Sequence, residues 1–253
     1  MNDEIKPGHM PTIRVLSILE LISSSDQKYT MSDIARSLGI PTSTVFPILR
    51  TLRNEKYLGL DNDTQTYSLG TRLFEIGSRV QNTRIYKEIT NILNGVVTAC
   101  GETCHLGMLD GGDVFFLATV DSPQPIRMYC ASSRRVPAYS TAIGKALLRG
   151  SSLDDLKRLY PEGLKPLTAN TITDFEELYK QVNGNDIFSY ESEESTESVS
   201  CISVPLYRQG AVIAASSVAV PIFRYDNAKK AQVEQALKEA LIQFEHIIHL
   251  FVF

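Results

Sequence analysis

The chain of 253 residues has no tryptophan, only four cysteines, and no apolar run that approaches the roughly 18 residues a membrane-spanning helix requires. Four cysteines (Cys100, Cys104, Cys130 and Cys201) in a chain this long are too few to staple a fold, so reduced thiols are expected. The opening stretch MNDEIKPGHMPTIRV carries acids and prolines where a secretory signal needs a basic and then an apolar run, and a cytoplasmic protein is expected. Walker, dinucleotide-binding and His-Glu-x-x-His patterns are all missing from the sequence. What remains is 43% apolar and 21% charged, the make-up of an ordinary globular protein, which excludes intrinsic disorder and collagen-like repeats.

A net charge of −4 argues at first against nucleic acid. The charge is unevenly spread, however. Residues 1–82 hold nine Lys/Arg and nine Asp/Glu, so the entire excess lies beyond them. A neutral segment binds DNA if its cations share one face, because phosphate affinity follows local charge.

The first eighty residues read as three helices and a hairpin. Ile13, Leu16, Leu19 and Ile22 recur at helical spacing, and SSSDQKYT breaks the pattern. Ser32 is placed to cap a second helix whose apolar face is Ile34, Ala35 and Leu38, and Gly39 is placed to end it. Val45, Ile48, Leu49 and Leu52 then mark a third helix. Two helices joined by a short Gly-containing turn form a helix-turn-helix pattern. The stretch YLGLDNDTQTYSLG that follows alternates about a polar turn and reads as a hairpin, which completes a winged helix. On the third helix, Thr42, Ser43 and Thr44 offer hydroxyls and first-turn amides to phosphates or base edges, with Arg50 and Arg53 further along. A small helical unit that binds another protein is the alternative reading.

Beyond residue 100, TCHLGML, DVFFLATV, IRMYCAS, DIFSYES, SCISVPLY and AVIAASSVAV read as strands, interleaved with the helical stretches TAIGKALLR, SLDDLKRLY, DFEELYKQV and a long C-terminal one. That mixture gives an α+β sheet domain of the sensor type. Ala142 and Gly144 lie at the start of a helix whose dipole favours a carboxylate. Cys201 raises a second possibility, a cysteine hydrolase, which needs a base near the thiol; His105 is the candidate. Cys100, Cys104 and His105 form a faint C-x3-C-H pattern for zinc, but the first should end a helix and the others open a strand. The reading therefore names no metal or cofactor.

Read as one, SDIARSLGIPTSTVFPILRTLRNEKYLGLDNDTQTYSLGTRLFEIG resembles the winged-helix domain of the IclR family of bacterial transcription regulators. STAIGKALL (140–148), PLTANTITD (166–174), SYESEES (189–195) and VSCISVPL (199–206) resemble four further landmarks of that family, in order. The resemblance implies a flexible tail (1–11), a winged helix-turn-helix (12–70), a linker helix (71–82) and a GAF-like α/β effector-binding domain (83–253). It implies a regulator, a repressor rather than an activator and not an enzyme. Its partners would be pseudo-palindromic double-stranded DNA, a small organic or sugar acid, and further copies of itself in a homodimer or homotetramer. The DNA-contact set is then Ser32, Thr42, Ser43, Thr44, Phe46, Arg50 and Arg53. The effector set is Met128, Ala142, Ile143, Gly144, Glu191, Cys201 and Ser217.

Several positions depart from the family pattern. Phe46 and Pro47 stand where polar or basic side chains are usual; Pro47 has no N–H for the Ser43 carbonyl, so a kink is expected. Phe46 can pack on a thymine methyl but cannot hydrogen-bond a base. Ala219 replaces a second serine, Glu191 an aspartate and Ser198 a glycine. The acids Glu193, Glu194 and Glu197 read as a solvated loop that repels dianions, which favours neutral or singly charged ligands. Leu73, Ile76 and Val80 give the linker helix an apolar stripe, and burial against a second copy is the expectation.

Overall fold

Thr30, not Ser32, caps the second helix. Its hydroxyl accepts from Asp33 N at 3.3 Å, and the Asp33 carboxylate accepts from Thr30 N at 3.1 Å. This capping box moves the start back two residues and leaves Ser32 exposed within the first turn. The sequence signal was the Thr-x-x-Asp spacing itself. The computed structural model describes residues 8–24, 27–128 and 135–251. It divides between Thr83 and Arg84 into two units.

In the first unit, α1 (Met10–Ser23), α2 (Met31–Leu38) and α3 (Thr42–Asn54) close on a core of Ile18, Ile34, Val45, Leu49 and Leu58, all essentially inaccessible. Gly39 ends α2 at φ 64°, a left-handed conformation in which Ile40 N reaches back to the Ala35 carbonyl at 3.0 Å. Strands β2 (Leu58–Asp61) and β3 (Thr66–Leu69) form the hairpin, and the two-residue β1 (Tyr29–Thr30) pairs with β3 to make a three-stranded sheet. Helix α4 (Thr71–Gln81) follows, tied to the corner after α3 by Gly70 N on the Tyr57 carbonyl at 2.8 Å. Gly70 is required there, since a Cβ would stand 2.1 Å from the Lys56 carbonyl oxygen.

The second unit begins with α5 (Arg84–Cys100) and contains a six-stranded antiparallel sheet ordered β6-β5-β4-β9-β8-β7. Its strands are β4 (Thr103–Asp110), β5 (Asp113–Val120), β6 (Val136–Pro137), β7 (Ser189–Ser192), β8 (Val199–Arg208) and β9 (Ala211–Pro221). Because side chains alternate between faces, register decides what each face can do. Cys104, Leu106, Ile202, Val204, Val218 and Val220 point to one side and pack beneath α5 and the long α9 (Asn227–Ile247). His105, Cys201, Ser217 and Ala219 therefore point to the other, beside α6 (Ala142–Leu147), α7 (Leu153–Leu159) and α8 (Phe175–Val182).

One expectation about strands changes. Ile126–Met128 are not in a strand, and the rest of IRMYCAS, Cys130 included, lies outside the described residues. Cys100, Cys104 and Cys201 are thiols, with none in a disulfide. No described helix is long and apolar enough to cross a membrane.

Candidate functional site

Two surfaces carry the chemistry, one in each unit. On α3 the buried stripe is Val45, Leu49 and Leu52, so the helix turns the remaining residues outward. Ser43, Phe46, Pro47 and Arg50 fall at i, i+3, i+4 and i+7 on that exposed face, with Thr42 and Arg53 exposed beside them and Thr44 half-buried. Pro41 precedes the helix without a capping side chain, so the first-turn amides have no side-chain partner to displace. Helix α3 continues unbroken through Pro47 to Asn54. The Ser43 carbonyl loses its helical bond to residue 47, but the core stripe on either side holds the segment helical.

Phe46 is 53% exposed, which places it with the polar readers and not in the hairpin core. The Arg50 guanidinium lies 5.9 Å from its ring centroid, so the aromatic face orients the cation. The hairpin turn is a poorer phosphate contact than its position suggests: Asp61 folds back to accept from Asp63 N and Thr64 N at 2.9 and 3.2 Å, leaving two acids at the tip.

In the second unit a cavity of about 270 Å³ opens on the polar side of the sheet. Its floor carries His105, Cys201, Ser217 and Ala219, and Thr141 before α6 with Ala142 and Ile143 in it close one side. Met128, Phe116 and Leu167 add apolar walls, and Ser195 and Thr196 come from the loop after β7. Five residues of the expected effector set, Met128, Ala142, Ile143, Cys201 and Ser217, share this cavity; Gly144 and Glu191 do not line it.

Gly144 has a different duty. A Cβ there would stand 2.0 Å from the Ala138 carbonyl oxygen, so glycine permits α6 to pack on the turn before it. Its amide is already bonded to Thr141 Oγ1 at 3.0 Å, the N-cap of α6. Spacing along the sequence cannot show a close approach between backbones, and the structure supplies it here.

Glu191 faces a second, larger cavity, though it touches the wall of the first. Its carboxyl group hydrogen-bonds the Cys201 thiol, and burial pushes it up to about 7. The lengthened acid thus stands against Cys201, outside the lining of the first cavity. Glu194, expected in solvent, is buried and ion-paired with Lys145 Nζ at 2.6 Å. Thr168 and Thr171 hydroxyls donate to the Glu193 and Glu194 carbonyls at 2.5 and 2.6 Å, which fixes the loop that brings Ser195 and Thr196 to the cavity. Ser198, which replaces the usual glycine, sits at φ 62°, the conformation for which glycine is the ordinary choice. Glu193 is half-buried and Glu197 exposed.

His105 is buried, its Nδ1 lies 3.0 Å from Thr119 Oγ1, and burial pushes it down to about 4, so the ring is neutral near pH 7 and a weak base. Thr141, Phe116, Arg135 and Leu167 were missed because nothing local distinguishes them; only the fold gathers them. Arg135 brings a cation to the rim, where it pairs with Asp110. Cys100 and Cys104 are both held up by burial, Cys104 to about 12, and so are poor metal ligands as they stand. Among the described residues no group of three His, Cys, Asp or Glu is placed to hold a metal ion.

A winged helix-turn-helix with polar and cationic residues along its outward helix, in a chain whose other unit is a sheet domain with a cavity, defines a DNA-binding transcription regulator. The chain belongs to the IclR family: residues 12–61 match the IclR helix-turn-helix domain and residues 77–245 match the bacterial transcriptional regulator IclR C-terminal domain. It is 31% identical over 223 residues to the HTH-type transcriptional regulator KdgR of Escherichia coli, an alignment covering 86% of this chain and 84% of that one. Its fold is similar to that of an IclR transcriptional regulator from Alicyclobacillus acidocaldarius, with a TM-score of 0.83 at 24% identity over 93% of this chain and 97% of that one. It is also similar to an IclR homologue from Microbacterium hydrocarbonoxydans solved with 4-hydroxybenzoate, with a TM-score of 0.80 at 23% identity over 95% of this chain and the whole of the other. These relatives are regulators and not enzymes, which removes the cysteine-hydrolase reading.

Proposed function

We propose that the chain is an effector-controlled repressor: it binds a small organic or sugar acid of single charge in the cavity of His105, Cys201 and Ser217, and the bound acid sets its affinity for a pseudo-palindromic operator. The observation that carries this reading is the convergence of isolated polar groups, His105, Thr141, Cys201 and Ser217, on one otherwise largely apolar cavity. That is the composition of a small-molecule site, with an apolar body to bury surface and a few polar groups to fix orientation. Arg135 at the rim supplies a positive charge, and the neutral His105 ring supplies none. The 4-hydroxybenzoate bound by the Microbacterium homologue is an acid of the class proposed.

Ser43, Phe46, Arg50 and Arg53 are the DNA-facing set on this reading, with Thr42 and Thr44 at the helix start and Ser32 on α2. Helix α4 is the linker. None of its residues is buried, Phe74 is 80% exposed and Val80 54%, and a second copy of the chain is the partner proposed to cover that face. A homodimer presents two readers to the two half-sites of a palindrome, about 34 Å apart. A ligand that binds one dimer arrangement better shifts DNA affinity by a coupling of about 1–3 kcal/mol. The protein is placed in the cytoplasm, where operator and metabolite meet.

Fluorescence anisotropy on operator fragments selected from the source genome tests this. Monocarboxylates should change the affinity at least about five-fold, the lower end of such couplings. Ser217→Val, which fills the cavity floor, should abolish that response while leaving ligand-free DNA binding intact. An unchanged affinity across a panel of small acids overturns the effector reading.

A further inference from the structure

Phe46 and Arg50 stand one turn apart on the outward face of α3, with the guanidinium 5.9 Å from the centre of the ring. Other arginines of the first unit are drawn to acids on their own helices, Arg36 to Asp33 at 3.3 Å and Arg72 to Glu75 at 2.8 Å. Helix α3 offers no such acid between Thr42 and Asn54. Among the described residues, the Arg50 guanidinium has neither a carboxylate nor a hydrogen-bond acceptor, only the phenyl ring. Its five donors thus stay open while an aromatic face sets their direction. Pro47 stiffens the same turn by fixing its own φ, and its carbonyl accepts from the Thr51 hydroxyl at 2.9 Å.

The two groups differ in what they can recognise. An exposed phenyl ring bonds neither phosphate nor base edge, and it gains only by covering apolar surface. In the major groove the apolar group that a base pair presents is the C5 methyl of thymine. A guanidinium fork instead matches the O6 and N7 acceptors of guanine, two parallel bonds on one base edge. Base pairs stack about 3.4 Å apart, so a ring and a fork this close meet neighbouring pairs and not pairs half a turn away.

We propose that Phe46 and Arg50 read a two-base step as one unit. In each operator half-site a thymine packs its methyl on the Phe46 ring, and a guanine directly beside it on the same strand accepts from Arg50 through O6 and N7. The inference rests on α3 as the DNA-facing helix and adds which bases that helix selects. Phe46 then has two duties: it touches the thymine, and it positions Arg50 for the guanine.

Fluorescence anisotropy at one fixed salt concentration tests this on operators selected from genomic fragments that the full chain retains, with single atoms of the DNA changed. Uracil in place of the thymine removes the methyl alone and should weaken binding about four-fold, the worth of one buried methyl. 7-Deazaguanine in place of the guanine removes one acceptor and should weaken it at least about five-fold. With Phe46→Ala the uracil penalty should vanish and the 7-deazaguanine penalty should shrink, because no ring aims the cation. With Arg50→Ala only the uracil penalty should remain. Both side chains are exposed and lie outside the core, so the circular dichroism of each variant should match that of the parent chain. Operators in which thymine does not adjoin guanine overturn the inference and leave α3 on DNA. Full penalties in the Phe46→Ala protein, or none in the parent chain, do the same. A parent chain that retains no fragment at all overturns the DNA-facing reading of α3 and this inference with it.

Discussion

Lys145 Nζ stands 2.6 Å from Glu194 Oε1, and both residues are buried, the lysine almost completely. This pair joins α6, which walls the first cavity, to the loop that carries Ser195 and Thr196 into it. Lining and loop are therefore held as one piece.

Breaking that pair from the lysine side should be costly. Lys145→Met leaves a buried acid without its counter-charge, and a loss of about 3 kcal/mol or more is expected in urea unfolding at pH 8. Burial already pushes the Glu194 carboxyl up, against the pull of Lys145. Without the lysine it rises further, and the variant should recover part of its loss at pH 5, where the acid takes a proton. A variant equally weakened at both pH values would show that lost packing, not charge, sets the cost.

Glu191 makes stability depend on pH in the opposite sense to an ordinary surface carboxylate. Its folded-state pKa is about 7 against an ordinary 4.5, so the folded chain holds the proton more tightly than the unfolded chain. Its effect on stability is neutral below about pH 4.5 and grows unfavourable as pH rises to 7, by at most about 3 kcal/mol. Glu191→Gln should flatten this fall between pH 5 and pH 8 and make the chain more stable at the upper end. Parallel pH profiles for the two proteins would remove Glu191 as the source.

Two glycines in the second unit should respond in opposite directions to the same methyl group. Gly144→Ala drives a Cβ onto the Ala138 backbone and should destabilise by about 1–3 kcal/mol or more. Gly95→Ala, in the exposed part of α5 with nothing within 4 Å, should stabilise by about 0.5–1 kcal/mol through helix propensity. Thermal melts of the two variants beside the parent chain decide this.

On DNA, Arg53→Ala should weaken binding on all sequences alike and reduce the slope of log affinity against log salt by about 0.9 if it meets one phosphate. Phe46→Ala should instead alter preference among operators with little change in that slope, since an aromatic ring releases no counterion. Operator titrations at several salt concentrations distinguish the two. Equal salt slopes for Arg53→Ala and the parent chain would place Arg53 off the backbone.

The winged helix was legible because its signals are local. Apolar spacing, Gly39 at a left-handed turn and a polar hairpin tip each state their structure within a few residues. Even the misplaced cap, Thr30 for Ser32, was an error of two residues within one motif. The cavity was legible only in outline. Cys201, Ser217 and Ala142 were found by likeness to a family, whereas Thr141, Phe116 and Arg135 were not found at all.

The sequence by itself determined most of the elements and their order, because periodicity and turn chemistry act over short stretches of chain; the short strands β1 and β6, which exist only by pairing, it did not mark. Only the tertiary structure decided which residues meet. It took Gly144 away from the cavity and gave it to a close backbone contact, withdrew Glu194 from solvent to Lys145, and turned Glu191 toward a second cavity. Those assignments depend on antiparallel register between strands distant in sequence and on burial that arises only once the layers have packed.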